Sequence, residues 1–242
     1  MAKGIELYDK CLAEIMALLK PLEGKRLAIE GECSWPDAGD RNMVLKSDMA
    51  YELGGGNLPA LSGTGFVTTD TLKEDELILY GPDLQEIRGD GPYARIVVAQ
   101  LDKDMIDRDN KANALYNLLR DIEYERYRIS PEGYMMRISV SGNREPVRIS
   151  KAALEKGISF ADAGSSLIGA YKKHTEVNFV KMIYITEPEF PYDLLAKNVD
   201  QMAKITDALD YIFKNIKMDC STCALKPVCD EVDELREMHF QA

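Results

Sequence analysis

The sequence predicts an α+β fold, a mixed sheet with flanking helices, followed by a C-terminal cysteine-rich metal-binding tail and a short helix. Helical and strand patterns mix along the 242 residues without a regular β-α alternation, which argues against a doubly wound parallel sheet. Three cysteines, Cys220, Cys223 and Cys229, lie within ten residues near the C-terminal end and predict the metal-binding tail. The natural division is therefore a globular body, 1–216, and a metal-binding segment, 217–242.

Composition limits the class of protein. Apolar residues make up 45% of the chain, and with mixed charge this is typical of a folded globule. The net charge of −11 argues against a nucleic-acid or anionic-membrane partner, because binding phosphates needs a surplus of Lys and Arg. The first residues contain no long apolar run, so neither a signal peptide nor a membrane span is expected. Five cysteines without an export signal favour a reducing compartment, and we expect a cytoplasmic protein.

The first half of the chain predicts one helix and then strands. Apolar side chains recur every three or four residues over Ile5–Leu22, and Pro21 with Gly24 marks the end of this predicted helix. Cys11 falls on the apolar side of this helix, so we interpret it as a small buried hydrophobe. A loop-rich passage carrying Cys33 follows. Strands are then predicted at 48–53, 77–80 and 93–101.

The second half of the chain is predicted to contain both helices and strands. A charged amphipathic helix is predicted at 107–127, and two short strands, 134–140 and 146–149, can pair as a hairpin. Ser150 is a predicted N-cap for a short helix that Gly157 ends. The remaining predicted elements are a helix at 160–173, a strand at 177–186 and a long amphipathic helix at 191–216.

The cysteine spacing C-x2-C-x5-C predicts a metal site at Cys220, Cys223 and Cys229. Crowded thiolates repel one another until a cation lies among them, and iron–sulfur clusters and zinc are the usual cations. We predict a four-iron, four-sulfur (4Fe-4S) cluster, with zinc as the alternative.

The fourth ligand is left open by the spacing. His239 is excluded if 230–239 is a continuous helix, because ten residues place it roughly 15 Å from Cys229. Asp233 lies one helical turn from Cys229 but is a harder ligand than a thiolate. Cys33 is the soft alternative that folding would bring in, and Cys11, an external ligand or an open iron site remain.

Two further patterns invite a functional interpretation. The run Gly54–Asn57 lacks both common phosphate-loop signatures and is predicted to be a structural turn. Arg137, Arg144 and Arg148 place cations close together in an acidic protein. If Arg137 and Arg148 share one face of the hairpin, they can bind a phosphate or a carboxylate; a solvated strand face is the alternative.

Over residues 45–160 the chain resembles the middle domain of acetyl-CoA synthase, the β component of the carbon monoxide dehydrogenase/acetyl-CoA synthase complex. The resemblance rests on Asp48-Met-Ala-Tyr-Glu-Leu-Gly-Gly-Gly-Asn57 with Pro59-Ala60, where that family has a similar run. It continues through Gly81-Pro82-Asp83 and the strand Ile96–Val98 to Arg148-Ile-Ser-Lys-Ala152. The clustered cysteines fall where the family begins its ligands for the four-iron part of the nickel-bearing cluster.

This resemblance implies an α+β domain, contacts with the corrinoid iron–sulfur protein or with coenzyme A (CoA), and a setting in anaerobic one-carbon and acetyl-CoA metabolism. It also implies that the neighbourhood of Arg148 binds a CoA phosphate. The chain contains no Cys-x-Cys pair, which the family uses at nickel. We therefore expect an accessory subunit rather than a polypeptide that joins methyl, CO and CoA by itself.

Overall fold

A computed structural model describes residues 5–30, 43–68, 70–104, 114–128, 135–137 and 143–213. This part of the chain is an α+β fold with a mixed sheet flanked by helices, as the sequence predicts. Its helices are α1 (Tyr8–Leu19), α2 (Ala114–Arg128), α3 (Lys151–Glu155), α4 (Phe160–Tyr171) and α5 (Tyr192–Phe213). Its strands are β1 (Lys25–Arg26), β2 (Met49–Leu53), β3 (Ala60–Val67), β4 (Glu76–Tyr80), β5 (Tyr93–Leu101), β6 (Met135–Arg137), β7 (Val147–Ser150) and β8 (Val177–Ile185).

The larger sheet has the strand order β1-β4-β8-β5-β3. Strand β5 pairs parallel with β3 and antiparallel with β8, and β4 pairs parallel with β8, so the sheet is mixed. All nine residues of β5 are buried, because this strand lies inside the sheet and helices cover both faces. The predicted strand 93–101 is confirmed at both ends.

Close helix packing on both faces depends on glycines. A Cβ at Gly63 would lie 2.9 Å from the Met202 side chain of α5, and one at Gly65 would lie 2.7 Å from Leu12 of α1. On the opposite face, a Cβ at Gly164 of α4 would meet Leu77 of β4 at 2.5 Å. The missing side chains therefore allow α1 and α5 to approach one face of the sheet and α4 the other.

The smaller sheet has the order β2-β7-β6 and is antiparallel throughout. The predicted pairing of 134–140 with 146–149 is confirmed over the residues that the structure describes, as β6 and β7. Beyond β7 the chain enters α3, where the Ser150 hydroxyl accepts a hydrogen bond from the Ala153 amide. The predicted N-cap is therefore confirmed.

A short extended segment links the two sheets. The Ser62 amide donates to the Asn143 carbonyl over 2.8 Å, and the Glu145 amide donates to the Ala60 carbonyl over 3.0 Å. Residues 143–145 therefore run along the free side of β3 before the chain enters β7. This arrangement brings Arg144 and Glu145 next to the larger sheet.

Candidate functional site

The residues of the predicted metal site lie outside the described residues. Cys33, Cys220, Cys223 and Cys229 all fall in this category, as does the predicted boundary between 216 and 217. The donor set itself, three soft thiolates within ten residues, fits an iron–sulfur cluster or zinc. Within the described ranges, no three His, Cys, Asp or Glu side chains come together as a metal site.

Cys11 is the cysteine that the structure does describe. Its side chain is 4% exposed on α1 and belongs to the apolar core. The interpretation of Cys11 as a small buried hydrophobe is therefore confirmed.

Arg144 organises the glycine-rich turn after β2. Its Nη2 donates to the carbonyls of Gly54 (2.8 Å) and Gly56 (2.6 Å), and its Nη1 donates to that of Leu58 (3.2 Å). Gly54 and Gly56 have φ angles of +69° and +57°, in the left-handed region that favours glycine. A phosphate-binding loop points amide N–H groups at its ligand, whereas here carbonyl oxygens converge on a cation. The prediction of a structural turn is confirmed.

Arg148 lies on β7, and its Nε donates to Glu52 Oε2 of β2 over 3.2 Å. The two side chains are 25% and 19% exposed, so the pair is only partly shielded from water. Within the described residues, this is the one hydrogen bond that the Arg148 side chain makes. Its two terminal nitrogens are therefore chemically able to donate to an anion, although the Glu52 carboxylate beside them opposes a second negative charge.

The register of β6 and β7 corrects one detail of the arginine hypothesis. Position 136 lies opposite Arg148, and position 137 lies opposite Val147. Directly opposed residues share a face and neighbours along a strand alternate, so positions 137 and 148 belong to opposite faces. The expectation that Arg137 and Arg148 share one face is wrong, because the register differs by one residue from the one they would need.

The sequence patterns did not reveal a buried ion pair in the larger sheet. Arg95 of β5 donates from Nη2 to Glu145 Oε2 over 2.7 Å and to the Ser62 hydroxyl over 3.1 Å. The side chains of Arg95 and Glu145 are only 2% and 3% exposed. Burial by itself would lower the pKa of Arg95, but the Glu145 carboxylate, helped by nearby tyrosines, raises that pKa above its ordinary value.

This buried pair is a structural feature and offers no access to a ligand. Both groups are closed off from solvent, and the Arg95 Nε has no hydrogen-bond partner among the described residues. An arginine in an apolar strand is the signal that a partner must exist, since buried charges are paired. Glu145 is fifty residues away along the chain, and nothing in its local pattern identifies it as that partner.

A second buried polar network joins three helices. The Tyr8 hydroxyl of α1 lies 2.8 Å from Thr206 Oγ1 of α5, and the Thr206 hydroxyl donates to Glu123 Oε1 of α2 over 3.1 Å. Burial, together with the negative charge of Glu123, raises the pKa of Tyr8 well above its ordinary value. Tyr8 therefore remains a neutral phenol and helps fix α1, α2 and α5 relative to one another.

No protein-family model matches this chain, and no curated protein matches it. Among the described helices, none combines the length and the apolar content that crossing a bilayer requires.

Proposed function

We propose that this protein is an acetyl-CoA-synthase-like accessory subunit that carries a 4Fe-4S cluster on Cys220, Cys223 and Cys229. It acts with partner proteins, such as a corrinoid iron–sulfur protein, in one-carbon and acetyl-CoA metabolism. The observation that carries the proposal is the C-x2-C-x5-C spacing of these cysteines. Cys33 is the proposed fourth ligand.

Two of the runs that carry the resemblance lie side by side in the structure. The run from Asp48 to Ala60 forms β2, the glycine turn and the first residue of β3, and the run from Arg148 to Ala152 forms the passage from β7 into α3. The two runs are neighbours, because β2 pairs with β7 in a register that sets Glu52 opposite Arg148.

Arg148 is the best placed of the three arginines to bind an anionic group such as a CoA phosphate. Arg144 already uses its guanidinium on three carbonyls, and position 137 belongs to the other face of the small sheet. The terminal nitrogens of Arg148 remain for a ligand, with Glu52 as an internal competitor.

Two alternatives share the cysteine ligands. In the first, zinc replaces iron and sulfide, and the protein is a zinc-stapled, non-catalytic binding module. In the second, the chain is a β subunit of a split synthase whose nickel site lies on another polypeptide. Three thiolates fit zinc as well as they fit iron, so the metal has to be identified chemically.

The test is purification without oxygen, followed by visible absorbance and by iron, zinc and sulfide analysis. We expect brown protein with iron and sulfide in equal amounts, and we expect Cys223→Ala to lose both together with the absorbance. The matched control is Cys11→Ala, which removes a buried thiol of α1 and should retain the cluster. Colourless protein with stoichiometric zinc would favour the zinc alternative, and a Cys223→Ala variant that keeps its iron would refute the ligand assignment.

A further inference from the structure

Three consecutive residues, 143–145, each hold a different part of the fold. The side-chain amide of Asn143 donates to Asp200 Oδ1 of α5 over 2.9 Å. Arg144 donates to three carbonyls of the glycine-rich turn after β2, and the Glu145 carboxylate pairs with the buried arginine of β5. The three residues therefore join α5, the turn of the smaller sheet and the larger sheet, and we call them the latch.

The backbone of the latch is fixed as well as its side chains. The Ser62 amide donates to the Asn143 carbonyl, and the Glu145 amide donates to the Ala60 carbonyl, so both ends of the latch pair with β3. Neighbouring Cα atoms are held about 3.8 Å apart by the chain, so one residue of the latch cannot leave β3 without moving the next. The covalent geometry therefore links the three attachments.

The attachments differ in how far water reaches them. The Glu145 side chain is 3% exposed, whereas the hydrogen bond between Asn143 and Asp200 lies at the surface. Separating a buried charge from its partner is strongly unfavourable, so the latch is held mainly at Glu145. The exposed hydrogen bond contributes least by itself. Its removal is therefore the mildest way to change how often the latch opens.

We propose that the latch opens and closes as one unit and that it couples α5 to the smaller sheet. When it opens, α5 loses Asn143, the turn loses Arg144 and β5 loses Glu145 in a single event. The latch leads into β7 and the turn follows β2, so the two strands that carry Arg148 and Glu52 are joined to α5 through it. This proposal needs neither the metal cluster nor an anion at Arg148.

The test is amide hydrogen exchange of the full-length protein, followed residue by residue by nuclear magnetic resonance. Asp200→Ala removes the acceptor that α5 offers to the latch. We expect the amides of Ser62, Glu145 and Leu58 to exchange faster by one common factor of about two to ten. The Leu58 amide donates to the Gly55 carbonyl within the turn, so its response reports coupling beyond the latch itself.

Two control variants separate the latch from other effects of changing α5. Asp200→Asn keeps an oxygen acceptor at the same position and should retain most of the protection of the three amides. Lys197→Ala alters another exposed side chain of α5 and should leave their exchange rates unchanged.

Three outcomes would overturn the latch. They are unchanged rates at all three amides in Asp200→Ala, an acceleration confined to one or two of them, and an equal acceleration in Lys197→Ala. The second outcome would mean that the attachments open separately. Metal analysis is an independent measurement, so a failure of the cluster proposal leaves these expectations as they are.

Discussion

Two arginine–glutamate pairs in this protein have similar chemistry and different surroundings. Arg95 and Glu145 meet at 2.7 Å inside the larger sheet with 2% and 3% of their side chains exposed. Arg148 and Glu52 meet at 3.2 Å on the smaller sheet, where 25% and 19% remain exposed. Water can stabilise either partner of the second pair if the other is lost, but it cannot reach the first. The buried pair should therefore be essential to the fold, and the shallow pair should be nearly neutral and available for binding.

The largest effect is expected from breaking the buried pair. Glu145→Gln keeps the shape of the side chain but leaves the Arg95 guanidinium uncompensated in the core. We expect the free energy of unfolding to fall by about 3–5 kcal/mol, measured by urea denaturation. The control replaces both partners, Arg95→Met with Glu145→Met, and should recover most of that loss because no buried charge remains. A Glu145→Gln variant within about 1 kcal/mol of the parent would contradict the assigned role.

An intermediate effect is expected at Arg144, whose partners are carbonyls rather than a carboxylate. Arg144→Ala removes three hydrogen bonds, to Gly54, Gly56 and Leu58, of which only the exposed one to Gly56 can readily be replaced by water. We expect a loss of about 1.5–3 kcal/mol and faster amide exchange in the glycine turn. Arg144→Lys keeps the charge but lacks the planar guanidinium that reaches three acceptors at once, so it should recover only part of the stability. Full recovery by lysine would mean that charge, and not the fork geometry, holds the turn.

The smallest change in stability is expected at the shallow pair. Glu52→Gln should alter the free energy of unfolding by less than about 1 kcal/mol, because water still reaches this partly exposed pair and can replace the lost interaction. The same substitution removes the competitor of Arg148 and, if the proposed anion site exists, should strengthen the proposed binding of CoA, measured by calorimetry. Arg148→Ala should weaken that binding without unfolding the protein. Unchanged affinity in both variants would rule out an anion site at Arg148.

The elements that the sequence predicted well are those whose own pattern determines them. Strand β5 has a continuous apolar run and was predicted at its observed bounds, and Ser150 caps α3 as its residue type suggests. Strand β3 was missed because its sequence, ALSGTGFV, contains two glycines and shows no alternation. Helices α1 and α5 pack against those glycines and require them, although both helices are far from β3 in the sequence. A pattern confined to one segment cannot report that requirement.

The same distinction applies to the candidate sites. The structural role of the turn at Gly54–Asn57 was predictable, because the motif lacks the residues that a phosphate loop needs. The prediction that positions 137 and 148 share one face was wrong, because a change of one residue in strand register exchanges the faces. The pairing of Arg95 with Glu145 depends on how segment 143–145 runs along β3, which no local pattern encodes.

The segment 143–145, which runs along β3, has a consequence for solubility. The first residues of β3 would otherwise present unpaired amides and carbonyls, a ready template for another chain to add a strand. The same three residues also place Glu145 beside Arg95. Displacing them would therefore expose unpaired backbone groups of β3 and leave the buried Arg95 without its carboxylate partner. Self-association and loss of stability should therefore appear together in variants of this region.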